Sequence, residues 1–327
     1  MKFFIVGDIH ASDKAPSTRK DNYLQSVLDK IDFINAKAEE LKPDAILQAG
    51  DIFHKKIPFH NSYLLTSQLI EKFEGKNWIA IPGNHDIFGT INNLNQQPIH
   101  VLKRSGVMQL FIDGSEHADF TEGNFSVSVS GTAFSEKLDD KSAGNLYNLS
   151  FEETSDYKIG IFHQMILPDG HTFFSDFINF EDLKDINCDI IIDGHYHDGF
   201  TPSVQFVHGK YFVNPGSISR GSSEQANLDK KPKFLMLELL EGQEPKFTEI
   251  FIPVKPASEV FDIVEVERKK ENKAIKDFIK NLSDFEVESL TSETPEGIKL
   301  ILSNMGAEPE VVTLADKYLT MASEKTF

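Results

Sequence analysis

A chain of 327 residues, 40% hydrophobic and 26% charged, is long enough for one sizeable core and a smaller appended unit. Its net charge of −18 argues against the broad basic face of a typical nucleic-acid binder. No run approaches the roughly 20 apolar residues of a membrane span, and a single cysteine, Cys188, excludes an intrachain disulfide and fits a reducing cytoplasm.

The first residues, Met1 to Val6, are too short an apolar stretch for a signal peptide and read as a buried strand over 2–7. A helix follows over about 20–41, with Leu24, Leu28, Ile31, Ile34, Ala38 and Leu41 at three- and four-residue steps. Ala45 to Ala49 is the next strand, 61–74 a second helix, and Trp78 to Ile81 a third strand. Strands separated by helices of this length predict a largely parallel sheet with helices on its faces. After residue 106 the pattern shortens and alternates, as in Phe125 to Val129, and points to a second sheet stacked on the first. Tyr157 to Phe162 and Asp189 to Ile192 read as strands, the second placing Cys188 in an apolar run where a buried residue is favoured over a nucleophile. Gly209, between Val204–Val207 and Tyr211–Val213, reads as a hairpin turn. Two prolines, Pro253 and Pro256, bracket a linker. Beyond it a strand is expected over Val260–Val266, a helix over Glu271–Leu282, a strand over Gly297–Leu302 and a last helix over Pro309–Met321.

Five polar clusters stand directly after predicted strands: Asp8-Ile9-His10, Gly50-Asp51, Gly83-Asn84-His85-Asp86, His163, and Gly194-His195-Tyr196-His197. In extended backbone, residues two apart point the same way, so Asp8 and His10 can reach one cation together, as can His195 and His197. Carboxylate and amide oxygens mixed with imidazole suit Mn²⁺, Fe²⁺ or Zn²⁺ better than Ca²⁺. Two such cations about 3.5–4 Å apart acidify a shared water and stabilise both attacking and leaving oxygens of a phosphate ester. The chemistry this predicts is phosphate-ester hydrolysis without a covalent enzyme intermediate.

The order D-x-H, G-D, G-N-H-D, H, G-H-x-H resembles that of the calcineurin-like metallophosphoesterase superfamily, over residues 3 to 215. Within it, Gly50 to His54, Asn214-Pro215-Gly216-Ser217 and the segment after residue 255 look most like the SbcD-type DNA repair nucleases, including those of large phages. The resemblance implies an α/β fold, a four-layer α/β/β/α sandwich, over residues 1–254. It also implies a small α+β accessory domain over 255–306 and a C-terminal helical segment over 307–327. It implies that Asp8, His10, Asp51 and His197 hold one cation and that Asp51, Asn84, His163 and His195 hold the other, with manganese first in order of expectation. His85 would act on the transition state, by protonating the leaving oxygen or hydrogen-bonding the phosphoryl group. Asp86 would orient a neighbouring imidazole, and His54 would sit near the scissile phosphate, although a structural role for His54 is also compatible.

The same resemblance implies DNA and an SbcC-type ATPase as partners and admits a homodimer. Lys55 and Lys56 follow His54 and fit either phosphate contacts or a solvated loop. Lys269, Lys273, Lys276 and Lys280 share one face of a predicted helix and fit either a DNA-backbone contact or an ordinary wet face. After residue 255 there are nine Lys/Arg against fifteen Asp/Glu, so acidity is spread over both parts of the chain. The last helix fits either docking on an ATPase coiled coil or folding back on its own domain. The leading functional expectation is the nuclease subunit of an ATP-driven DNA end-processing complex, an exonuclease and single-strand endonuclease. The alternatives are a stand-alone phosphodiesterase for cyclic or other small nucleotides and a scaffold that has lost activity. No metal role is expected for His60, His100, His117, His171 or His208.

Overall fold

The structure, a computed structural model, describes residues 1–262 apart from 17, 137–148, 171–176 and 222–224, and beyond them only the single positions 264, 268 and 313. The backbone divides into two units, Met1–Val266 and Glu267–Phe327. The lysine-bearing helix, the later strand and the C-terminal helix expected from the sequence lie outside the described residues.

In chain order the elements are β1 (Lys2–Val6), α1 (Tyr23–Leu41), β2 (Ala45–Gln48), α2 (Tyr63–Phe73), β3 (Trp78–Ala80), α3 (Pro98–Arg104), β4 (Met108–Leu110), β5 (Asp113–Glu122), β6 (Phe125–Thr132) and β7 (Tyr157–Phe162). Then come β8 (Ile166–Leu167), β9 (Ile178–Asn179), β10 (Ile190–Asp193), β11 (Val204–Val207), β12 (Lys210–Val213), α4 (Gln225–Asp229), β13 (Lys233–Glu238), β14 (Lys246–Phe251) and α5 (Ala257–Val260). The helical turn Ala257–Val260 ends where the strand expected over Val260–Val266 begins; Phe261 is extended and forms an isolated antiparallel bridge with Arg19, Val264 is helical, and 263, 265 and 266 lie outside the described residues.

Two six-stranded sheets form, in the orders β14-β13-β1-β2-β3-β4 and β11-β12-β10-β7-β6-β5. Each is parallel at its centre and antiparallel at an edge, so the first sheet is parallel over β1–β4, as expected, and mixed at its other edge. The reason is the hairpin β13–β14, which returns to pair with β1. In the second sheet β12, β10, β7 and β6 run parallel, with β11 and β5 antiparallel at the two edges. The β11–β12 hairpin turns on His208 and Gly209, both at positive φ (54° and 76°), the backbone that a two-residue hairpin turn requires.

β1 shows why the central strands read as unbroken apolar runs. Phe3 and Ile5 face a core between the two sheets, with Leu47, Ile79, Val129, Ile161 and Ile192. Phe4 and Val6 face the other way, into a core with Val27, Ile31 and Ile34 of α1 and Leu65, Leu69 and Phe73 of α2. With both faces covered, alternation has no polar side to show. Each fully buried side chain of this size contributes about 1.5–3 kcal/mol. Helix α1 starts where the Asn22 side chain accepts from the Gln25 amide (3.1 Å) and stops at Lys42, which adopts left-handed backbone (φ 50°). Ser62 caps α2 in the same way, accepting from the Leu65 amide at 3.0 Å.

The outer face of the second sheet is the fourth layer. Phe162, Ile191 and Phe212 pack there against Ile178, Phe180, Leu183 and Ile186. Among the described residues this layer is built from the short β8–β9 ladder and a 3-10 turn at Glu181–Leu183 rather than from α-helices. Cys188 is buried in it, and burial pushes its thiol up, as expected for a packing residue. No helix among the described residues is long and apolar enough to cross a membrane.

Candidate metal centre

All five polar clusters follow the carboxyl ends of central parallel strands: β1, β2 and β3 in the first sheet, β7 and β10 in the second. Open α/β sheets place ligands at that edge, where chain direction brings loops together. Three of the seven expected ligands have left-handed backbone: His10 (φ 50°), Asp51 (φ 54°) and His195 (φ 63°). Each such non-glycine residue costs on the order of 1–3 kcal/mol and persists only where its surroundings enforce it. Here the enforcement comes from the Ile9 and His10 amides, which both donate to the Asp51 carbonyl (3.1 and 2.8 Å), and from the Ala11 amide, which donates to the Ile52 carbonyl (2.8 Å). Two glycines are dictated by crowding, since a Cβ on Gly50 or Gly194 would lie 2.5 or 2.7 Å from Nδ1 of His163.

The structure brings the seven expected ligands together around Asp51, whose side chain is fully buried. On one side, Oδ2 of Asp51 is 3.5 Å from Nε2 of His10, which is 3.7 Å from Oδ2 of Asp8 and 2.9 Å from Nε2 of His197. His197 in turn lies 3.1 Å from Asp8. These four residues present ligand atoms within 4.8 Å of one another. On the other side, Oδ2 of Asp51 is 3.4 Å from Nε2 of His163, and Oδ1 of Asn84 is 3.1 Å from that nitrogen and 3.2 Å from Nδ1 of His195. Nδ1 of His163 donates to the Ala49 carbonyl at 2.6 Å, which leaves Nε2 as the nitrogen that faces Asp51 and Asn84.

The donor set fits two divalent cations. Oδ2 of Asp8 and Oδ2 of Asp51 are buried carboxylate oxygens that face ring nitrogens of His10, His163 and His197 at 3.1–3.7 Å, an arrangement of crowded acceptors that a cation between them would satisfy. Burial alone would raise both carboxyls, but the imidazoles of His10, His163 and His197 outweigh it at Asp8, and His163 outweighs it at Asp51, so both are held below the usual carboxylate range. Conversely, burial works against charge on His163, and Asp51 overcomes it, drawing the imidazole up to about 10. His195 moves the other way, to about 4, by burial and the charge of His163.

His85 and His54 lie together beside this cluster, their rings stacked at 5.6 Å and 17°. Nδ1 of His85 donates to the His54 carbonyl (2.7 Å), and the His85 amide donates to Oδ1 of Asp51 (2.7 Å). Burial, then the charge of His10, depresses His54 to about 3. Burial lowers His85 as well. Both rings are therefore neutral at physiological pH, available to accept or relay a proton. His10, His54 and His85 also present ring nitrogens within 4.8 Å of one another.

Asp86 corrects one expectation. Among the described residues its carboxylate forms no hydrogen bond to an imidazole; it takes the amides of Ile52 (3.1 Å), Phe53 (2.9 Å) and Gly83 (3.0 Å). It thus ties the loop after β2 to the loop after β3, and holds Asp51 and Asn84 in register. Burial, with Asp51 nearby, lifts its carboxyl to about 7 against the pull of these amides.

Sequence reasoning also passed over the braces of the site. The hydroxyl of Tyr23 donates to the His10 carbonyl (2.8 Å). Nδ2 of Asn214 donates to the carbonyls of Gly194 (3.3 Å) and Tyr196 (3.2 Å), and the amides of Ser217 and Ile218 donate to the carbonyls of His197 and Asp8 (both 2.9 Å). The Asn214-Pro215-Gly216-Ser217 motif was the available signal; its role is to lock the His195–His197 loop. His208, given no metal role, forms an exposed pairing with Asp169 (2.9 Å) and Glu181 (3.2 Å) away from these loops.

Among curated proteins none matches the chain. Solved structures to which it is similar include a Staphylococcus aureus protein described as a "putative 5′-nucleotidase" in complex with alpha-ketoglutarate, 16% identical with a TM-score of 0.48, over 77% of this chain and 54% of that one. They also include a hypothetical protein from Thermus thermophilus, 12% identical with a TM-score of 0.43, over 77% of this chain and 100% of that one. The chain thus spans about half the length of the first of these. The calcineurin-like phosphoesterase profile matches residues 1–199, well over half of the chain and every one of the five strand-end clusters. This protein belongs to the calcineurin-like phosphoesterase family, metal-dependent hydrolases that bind two divalent cations.

Proposed function

We propose that the protein is a Mn²⁺-dependent DNA phosphodiesterase, the nuclease subunit of an SbcCD-like end-processing complex. In this reading Asp8, His10, Asp51 and His197 hold one cation, and Asp51, Asn84, His163 and His195 the other. When bound, the pair supplies Lewis acidity on both sides of a phosphorus atom and lowers the pKa of a water. The chain's own residues do the rest. Asp51 sets the spacing of the two ligand groups. His85, neutral and fixed through its Nδ1–H to the His54 carbonyl, presents an unprotonated Nε2 that would accept a proton from the attacking water and, once protonated, give it to the leaving oxygen. His54 backs the His85 ring by stacking on it.

The observation that favours a polymeric nucleotide substrate is the surface next to this pair. The loop that carries His54 continues through Lys55 and Lys56 to the exposed rings of Phe59 (82%) and Tyr63 (97%), and Phe88 stands exposed two residues after Asp86. Aromatic faces interleaved with lysines give unpaired bases a platform for stacking and their phosphates a counter-charge. The partners of this reading are DNA and an SbcC-type ATPase, with a second copy of the chain as a further candidate.

The test is incubation with Mn²⁺ and either end-labelled duplex DNA or a cyclic nucleotide, beside an Asp51→Asn control. The proposal expects DNA to be cleaved, with a loss of roughly 100-fold or more in the control, in line with removal of a main electrostatic contribution. Hydrolysis of the cyclic nucleotide alone would give the site to small nucleotides instead.

A further inference from the structure

Lys230, in the short link between α4 and β13, belongs to no motif, yet its ammonium reaches the centre. Nζ donates to the His197 carbonyl at 2.6 Å and to Oγ of Ser217 at 2.7 Å. The same carbonyl takes the Ser217 amide at 2.9 Å, and the Ser217 hydroxyl donates onward to the Ser219 carbonyl at 3.1 Å.

His197 is the ligand candidate that most needs such a hold. Its side chain is 48% exposed, against 5% for His10, 2% for Asp8 and none for Asp51. Packing fixes the other three; His197 has chiefly its backbone to fix it. A neutral donor would serve one oxygen, whereas an ammonium has three N–H groups and makes charge-assisted bonds roughly twice as strong as neutral ones. Burial lowers the Lys230 ammonium to about 8 while the carboxylates of Asp8 and Asp198 pull the other way, and positive charge next to a centre for two cations adds an electrostatic cost.

We propose that Lys230 is a positioning residue that clamps the His197 backbone to Ser217 and so sets the affinity of the cation site formed with Asp8 and His10. The inference rests on the two-cation reading above. The full chain, freed of metal, is titrated with Mn²⁺ by calorimetry and electron paramagnetic resonance in wild type, Lys230→Met and Lys230→Arg. Wild type takes up two ions and shows a spin-coupled pair. Lys230→Met weakens one of the two sites by about 10–100-fold, the usual cost of losing a group that orients a ligand, and an isolated six-line signal replaces the coupled one at two equivalents. Lys230→Arg, which still reaches both oxygens, recovers most of the lost affinity. Should Lys230→Met fail to fold, Lys230→Gln, with one short amide donor, carries the same comparison. Two affinities within twofold of wild type in the variant would overturn the proposal, even with a lower melting temperature. A wild type without a coupled pair would instead overturn the two-cation reading on which it stands.

Discussion

Replacing Asp86 by alanine tests whether this residue ties loops or assists a histidine. Its carboxylate, 2% exposed, is the acceptor for three buried amides, those of Ile52, Phe53 and Gly83. Each buried donor left unpaired costs about 1–3 kcal/mol. Water entering the vacated space recovers part of this, and removal of a carboxyl that burial and Asp51 already push up to about 7 recovers more. The net loss expected is about 2–4 kcal/mol, or roughly 5–12 °C in Tm for a unit of this size. Asp86→Asn keeps one oxygen acceptor but turns an NH₂ toward the remaining amide, so it should fall between alanine and wild type. Thermal unfolding followed by circular dichroism, with Mn²⁺ titration alongside, measures both effects. In Asp86→Ala the metal affinity should fall with the Tm, because Asp51 and Asn84 lie on the loops that come apart. An unchanged Tm with hydrolysis lost would refute the loop-tying role and return Asp86 to service of an imidazole.

His85→Gln should lower hydrolysis by roughly 10²–10⁴-fold, the range for a positioned acid or base, while Mn²⁺ binding stays at the wild-type level; an equal loss of metal affinity would mean that His85 is a ligand. His54→Ala should lower turnover less than His85→Gln, since it removes only the ring that backs His85, and kinetics of the two variants side by side decide the order. Lys30 makes a prediction away from the metal. Its ammonium is buried in α1 with no hydrogen-bond partner among the described residues, and burial, with Arg19 and Arg220 nearby, lowers it from 10.5 to about 7. The unfolded chain then holds more protons than the folded one between those values, so this group's contribution to stability is present in full above pH 10.5 and is lost as pH falls through 7. The penalty at low pH is on the order of 5 kcal/mol as an upper bound. Lys30→Met should be more stable than wild type at pH 6 and should have lost the rise in stability from about pH 7 to 10; parallel urea curves for the two proteins would contradict this.

The parts legible from sequence were those in which one strand and its loop hold the whole signal. An apolar run ending in Gly-Asp or Gly-Asn-His-Asp states locally that a buried strand delivers polar groups to its carboxyl end, and Tyr157–Phe162 was placed to the residue. Helix α1 starts three residues later than its apolar spacing suggests because Asn22, rather than Lys20, offers the capping oxygen. What was not legible depends on contacts between distant segments. β13 and β14 decide that the first sheet is mixed, but the pairing of β13 with β1 joins the two ends of this unit and leaves no local trace. Asp86 looked like a partner for its neighbouring histidine because chain proximity is all a sequence shows, whereas two of its amides come from 33 and 34 residues away. Lys230 and Tyr23 act through main-chain carbonyls, which have no sequence signature at all. The fourth layer was expected to be helical from resemblance, and among the described residues Phe180, Leu183 and Ile186 fill the same space from irregular backbone.

The measurement closest to the central claim is anomalous diffraction at the manganese edge from crystals grown with Mn²⁺. The account predicts two peaks about 3.5–4 Å apart, with the Asp51 carboxylate between them, His10 and His197 on one and His163 and His195 on the other. A single peak, or two peaks that do not share Asp51, would contradict it.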